Sequence, residues 1–338
     1  MLLTGLGDVI HGLPLVNALK RHWPESRITW IVEPMPAGVL QPHPAIDQVI
    51  VFEKRRGWRG VRDLHRRLRA ERIDLVLNLN IYFKSIFPTL LAGAPVRLGF
   101  EKGRARDGVW LAANRHLPSR PRAHTQDMFL EFLEVLAVPA EPLEWSLQIT
   151  PPERSEQERF LAQLDGREYV ALVPASANPR KDWLPERAAR VADAVAVDFG
   201  RRVVLLGGPG AREQALATAI AQAASVPPVR ALGDGVRRLI WQLDAARLLI
   251  APDTGPVHIA RALDTPVVGL YGHTNPWRVG PYRCGQDLWI DTYTEPGEAP
   301  DPARADPKHG RMELITVEMV LEKVQRALSN APTGSASP

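Results

Sequence analysis

The stretch LLIAPDTGPVHIARALDTPVVGLYGHTNPWRVGPY, Leu248–Tyr282, decides how this chain is built. Two apolar runs lie along it, RLLIAPD at 247–253, which begins one residue before it, and PVVGLYG at 266–272, with a helical pattern carrying His258 between them. Neither run alternates apolar with polar, so each reads as a strand buried on both faces, and strand–helix–strand in this length is the unit of a parallel sheet. Each run ends in polar groups, first Asp253, Thr254 and Gly255, then His273, Thr274 and Asn275. Adjacent carboxyl ends of parallel strands are where open α/β sheets bind ligands. The N–H groups of Thr254 and Gly255 open the helix and would face phosphate oxygens. Helix capping by the same residues is the competing reading.

Working outward, the pattern repeats. Strands are expected at 27–33, 73–80, 169–175 and 202–208, and helices at 9–22, 58–72, 125–137, 153–163, 185–199, 211–224, 236–246 and 316–328. This alternation predicts an α/β fold of parallel sheets covered on both faces. The Pro-rich interval VPAEPLEWSLQITPPE at 138–153 separates two such series, which places an N-terminal domain at 1–145 and a C-terminal one at 146–330. The tail 331–338 lacks apolar content and is expected to be disordered. Only four residues precede Gly5, fewer than a full first strand, so part of that strand is expected to be missing.

A length of 338 residues suits two cores, and 45% apolar residues suffice to build them. The formal charge of +4 favours acidic ligands, whether phosphates, anionic headgroups or nucleic acid, without choosing among them. Cys284 is the only cysteine, which excludes an intramolecular disulfide and a cysteine-based zinc site and fits a reducing cytoplasm. No apolar run approaches the length of a spanning helix and the first residues do not read as a signal peptide, so any membrane contact should be peripheral.

Three more glycine or loop constellations could carry chemistry. Gly5, Gly7 and Asp8 stand at the start of an amphipathic helix, where Asp8 serves either as a cap or as a carboxylate at a ligand site. Ser176, Asn178, Arg180 and Lys181 follow a buried strand; a lysine there can hold a diphosphate leaving group, or it can be an ordinary solvated loop residue. Gly207, Gly208 and Gly210 precede the helix of Glu213, whose carboxylate suits either the helix dipole or a ribose. The first half also carries a cationic run at 53–72 with Arg55, Arg56 and Arg59, and a second group with Lys102, Arg104 and Arg106. These read as solvated faces or as attraction for an anionic acceptor at a membrane surface.

Taken in order, GLGDVIHGLP, NLNIYFKS, RKDW and DTGPVHIARALDTPVVGLYGHTNP make the chain resemble glycosyltransferase family 9, the heptosyltransferases of lipopolysaccharide core assembly, from Gly5 to about Leu328. The resemblance implies a GT-B architecture of two Rossmann-like domains facing a central cleft, with the sugar nucleotide held mainly by the C-terminal half. It implies an inverting transfer of heptose from an ADP-activated donor to an anionic lipid-linked inner core, with no metal and no cofactor, at the cytoplasmic face of the inner membrane. Nucleic acid is not an implied partner. Residue by residue, Asp8 resembles the family's catalytic base and Lys84 a catalytic lysine near the acceptor and the catalytic centre. Lys181 and the turn Asp253–Thr254–Gly255 match diphosphate contacts, Ser176 a donor-site hydroxyl, Glu213 a ribose carboxylate and His258 the histidine after the turn. Arg55, Arg56, Arg59, Arg104 and Arg106 are the candidate acceptor contacts. Ala177 stands where some members carry a second hydroxyl, and NLNIYFKS replaces the more usual glutamine-glycine sequence, positions that bear on sugar and acceptor. The rival readings are a sugar-nucleotide epimerase of the same fold and a non-enzymatic protein that binds anionic glycolipid.

Overall fold

Short aliphatic runs become strands because their Val, Ile and Leu side chains find cover on both faces, and the amphipathic stretches between them supply that cover. The computed structural model describes residues 1–330 apart from Thr4, Arg167 and Asp234, and the expected disordered tail lies outside the described residues. The chain divides into two compact units between Gln148 and Ile149, inside the Pro-rich interval.

In the first unit, β1 (Thr29–Val32) pairs in parallel with β2 (Gln48–Val51), and β3 (Leu75–Asn78), β4 (Val96–Gly99) and β5 (Arg115–His116) form a second parallel group. Met1–Leu3 link the two groups. Glu33 N–H donates to the Leu3 carbonyl at 2.9 Å on one side, and Leu79 N–H donates to the Met1 carbonyl at 3.1 Å on the other. The short start that the sequence shows before Gly5 therefore occupies the centre of the unit. Four helices belong here before the last: α1 (Leu6–His22), α2 (Pro34–Ala37), α3 (Gly57–Arg69) and α4 (Ile86–Leu91). The last, α5 (Thr125–Val135), packs against α1. Gly12 lets α1 approach the sheet closely, since a Cβ there would stand 2.6 Å from the Trp30 ring.

The second unit holds one parallel sheet of β6 (Tyr169–Leu172), β7 (Arg202–Leu205), β8 (Val229–Arg230), β9 (Ala246–Pro252), β10 (Val267–Tyr271) and β11 (Trp289–Asp291). Its order is β11-β10-β9-β6-β7-β8. The chain runs from β6 outward to β8, then returns across to β9 and runs outward the other way. This is the doubly wound order, and its reversal lies between β6 and β9, where such sheets open a ligand crevice. Helices α6 (Pro151–Gln163), α7 (Pro185–Val197), α8 (Ala211–Ala223), α9 (Val236–Asp244), α10 (Gly255–Ala262), α11 (Pro276–Val279) and α12 (Val317–Asn330) connect and cover the strands. One core runs from Val170 and Leu172 through Val203, Leu248, Ile250 and Val268 to Val320 and Val324 of α12.

Candidate active site

The two stretches singled out in the second half of the sequence leave the sheet on either side of the reversal. After β6 the chain makes a tight loop. Ser176 Oγ donates to the Asn178 carbonyl at 2.8 Å and accepts the Asn178 N–H at 3.2 Å, so this buried hydroxyl shapes its own loop. Ser176 N–H donates to Asp182 Oδ1 at 2.8 Å, and a short 3-10 turn, Pro179–Lys181, aims Lys181 across to β9. There Lys181 Nζ donates to Asp253 Oδ2 at 2.6 Å, with Asp253 8% exposed. An ion pair this close and this shielded from water fixes the ammonium in place. It stands beside Thr254, the N-cap of α10, whose side chain makes no capping hydrogen bond. The first amides of α10 are therefore not capped from within, and a lysine charge sits next to them. Helix-start amides beside a fixed ammonium can receive an anion.

A second link ties the β6 loop to the end of β10. Asn178 Nδ2 lies 3.2 Å from His273 Nε2, and His273 Nδ1 lies 2.7 Å from the Lys308 carbonyl. Burial lowers the His273 pKa, against the pull of the Lys308 carbonyl, and neighbouring His309, Lys181 and Arg180 lower it further. With the Asn178 amide donating to Nε2, Nδ1 is the ring nitrogen that donates, to the Lys308 carbonyl. Gly272 makes the turn possible, because a Cβ there would stand 2.5 Å from the backbone carbon of Arg311. His258 is buried on α10. Asn275 is a structural cap: it accepts the Trp277 N–H and donates to the Asp301 and Arg304 carbonyls.

Glu213, in the first turn of α8, accepts the Gly208 N–H at 3.1 Å, and added Cβ atoms at Gly208 or Gly210 would meet its other oxygen within 2.9 Å. The carboxylate is thus folded onto the glycine loop. Sequence reasoning missed Arg212 beside it. Its guanidinium bridges Asp182 and the Ser176 carbonyl and so braces the loop that carries Lys181. An arginine opening a helix gives no sign of a partner 30 residues away.

In the first unit, Asp8 is the third residue of α1 and exposed. Gly5, with φ of 87°, leaves room for its carboxylate, which would lie 2.4 Å from a Cβ at that position. Lys84 sits half-buried in the 3-10 turn Phe83–Ser85 after β3. Burial lowers its pKa; Glu33 and Asp8 draw it back up and Lys54 lowers it further, which puts Asp8 and Lys84 within electrostatic reach of each other. Arg55, Arg56 and Arg59 are exposed where the cationic run begins, and Arg56 pairs with Asp63 at 3.0 Å.

Arg104 is a correction. It is 3% exposed, donates to Glu101 and to Glu131 at 2.7 Å, and also donates to the Pro118 carbonyl. A guanidinium so buried and so paired holds the unit together instead of meeting an acceptor at the surface, whereas its neighbour Arg106 is exposed. Among the described residues no group of three or more His, Cys, Asp or Glu is placed to hold a metal ion.

An anion-ready reversal point in a doubly wound unit is common to many nucleotide-binding proteins, so the decision rests on comparison. The model of glycosyltransferase family 9 (heptosyltransferase) matches residues 61–296. The chain belongs to that family. It is a glycosyltransferase, and the epimerase and non-enzymatic readings fall away. The lipopolysaccharide core heptosyltransferase OpsX of Haemophilus influenzae is 32% identical over 294 residues, covering 87% of this chain and 83% of its own. The crystal structure of a family 9 glycosyltransferase from Veillonella parvula superposes with a TM-score of 0.84 at 25% identity, covering 97% of this chain and 96% of its own. The Escherichia coli heptosyltransferase WaaC with ADP shares the fold at a TM-score of 0.71 and 22% identity, covering 97% and 98%. The α/β fold with parallel sheets is that of the GT-B glycosyltransferases.

Proposed function

We propose that this glycosyltransferase moves a heptose, with inversion, from an ADP-activated donor to the anionic inner core of lipopolysaccharide. The observation that carries the reading is the Lys181–Asp253 ion pair at the head of α10, on the reversal between β6 and β9. The OpsX relative is named for lipopolysaccharide core heptosyl transfer, and ADP is the nucleotide held by the WaaC neighbour.

The second unit, in this account, binds the donor. Diphosphate gains charge as the anomeric bond breaks, and Lys181 with the amides at Thr254 and Gly255 offsets that charge in place of a metal ion. Asp253 orients the ammonium while Glu213 and Ser176 shape the rest of the donor loops. The first unit binds the acceptor. Asp8 takes the proton from the attacking hydroxyl on the face opposite the departing diphosphate, which inverts the anomeric centre. Lys84, beside Asp8, steadies the acceptor, with Arg55, Arg56, Arg59 and Arg106 contributing attraction for its phosphates. Such an acceptor is lipid-anchored, which puts the enzyme at the cytoplasmic face of the inner membrane, held peripherally; no helix among the described residues is long and apolar enough to cross it.

The test is transfer itself. The purified chain is incubated with ADP-heptose, or with a panel of other ADP- and UDP-sugars, and with heptose-deficient lipopolysaccharide, and the product is read by mass spectrometry. Heptose addition with release of ADP is expected. Absence of transfer from every ADP-sugar would overturn the reading.

A further inference from the structure

The segment from Tyr82 to Leu91 keeps Pro88 and Leu91 against the core but turns both of its phenylalanines outward. In an ordinary surface helix the apolar stripe faces the core and the hydroxyls face water. Here Ser85 and Thr89 are fully buried, while Phe83, Phe87 and Leu90, at i, i+4 and i+7, are 53%, 47% and 49% exposed. The buried hydroxyls are satisfied. Asn78 Nδ2 at the end of β3 donates to Ser85 Oγ, Ser85 Oγ donates to the Tyr82 carbonyl, and Thr89 Oγ1 donates to the Ser85 carbonyl at 2.7 Å. This arrangement is thus locked by hydrogen bonds rather than left by loose packing.

The ridge is not isolated. Phe83 and Phe87 meet edge to face, and the 3-10 turn Val109–Ala112 packs against α4 and adds Leu111, 68% exposed. Tyr82 stands next to it with the Arg106 guanidinium over its ring at 5.9 Å. On another side α3 packs against α4 and opens with the exposed Trp58. The run from Lys54 to Arg72 carries nine lysines and arginines against two acids, Asp63 and Glu71. Contiguous exposed apolar surface marks an interaction site. Aromatic and aliphatic side chains bordered by arginines match the headgroup boundary of an anionic bilayer, where rings enter the interface and guanidinium groups meet phosphates.

We propose that the ridge Phe83–Phe87–Leu90, with Leu111 and Tyr82, seats in the headgroup layer of an anionic membrane, with Arg106 and the basic run of α3 as its phosphate contacts. This deepens the lipid-anchored-acceptor reading and rests on it. The apolar ridge docks the enzyme without taking part in the chemistry, and the test leaves Arg59 and Arg106, which also serve the acceptor's phosphates, in place.

The full chain and a Phe87→Ser/Leu90→Ser double variant are compared by co-sedimentation with phosphatidylethanolamine–phosphatidylglycerol vesicles and with phosphatidylcholine vesicles. The wild type should pellet with the anionic vesicles only, and less at high salt. The double variant should bind them about tenfold more weakly. Its thermal melt, and its transfer to a delipidated soluble acceptor, should match the wild type; loss of that transfer in both proteins would instead count against the proposed function. The docking proposal is overturned if the wild type does not bind anionic vesicles, if it binds neutral ones as well, or if the variant binds like the wild type. It is also overturned if the wild type sediments as a dimer that the two substitutions dissociate, since the ridge would then be a protein interface.

Discussion

At the level of single residues, the proposed reaction depends on a few charges that would meet the phosphate charge as it develops. Lys181→Ala should weaken ADP binding by about 10- to 100-fold, as expected for losing a charge-assisted contact, and should lower turnover as well; titration calorimetry and steady-state rates give the two effects separately. Because Lys181 and the α10 amides are assigned the charge that a metal would otherwise carry, treatment with EDTA should leave turnover unchanged, and restoration by added magnesium of a lost activity would contradict that assignment. Glu153 gives a pH signature. Its hydrogen bonds from Arg237, with those from Thr150, hold its pKa down to about 2. A folded-state pKa below the ordinary 4.5 means that its contribution is complete above that value and is lost as pH falls through about 2. Glu153→Gln should cost the second unit about 2 kcal/mol at neutral pH and flatten the acid limb of its stability curve, measured by denaturant unfolding across pH. The surroundings of the candidate residues were only partly legible at this level. Asp8, Lys181 and Asp253 stand beside glycines and strand ends, a local signal. Arg104 sits in a string of cations and reads as surface, yet its partner Glu131 is 27 residues away, and only folding reveals the pairing.

At the scale of elements, the long apolar runs announced themselves, and the strands expected at 169–175, 202–208, 247–253 and 266–272 appear as β6, β7, β9 and β10. The two-residue strands β5 and β8 and the three-residue β11 did not, because so few residues carry no periodicity. Helix α4 was equally silent: in six residues Phe87 and Leu90 face outward while Pro88 and Thr89 are buried, so there is no amphipathic pattern to find. The turn between β10 and α11 is the element most sensitive to one atom. Gly272→Ala would drive a Cβ into the Arg311–Met312 backbone, which cannot rotate away as a side chain could. We expect a loss of roughly 1–3 kcal/mol, read by thermal or denaturant unfolding, together with weakened ADP binding as His273 shifts against Asn178.

At the scale of the whole molecule, the division into two series of strands and helices was visible in the sequence through the Pro-rich interval, and the structure divides between Gln148 and Ile149. The doubly wound order of the second unit was not visible, since strand order depends on which edges pair; it is this order that brings Lys181 and Asp253 together from segments 72 residues apart. The proposed reaction divides the labour, with acceptor activation in the first unit and leaving-group stabilisation in the second. The most direct measurement is the pair of quantities, turnover and ADP affinity, for Asp8→Ala. Turnover should fall by a factor on the order of 10² to 10⁴ while the ADP dissociation constant stays near that of the wild type. Near-native turnover, or a collapse of ADP affinity alongside it, would contradict the account.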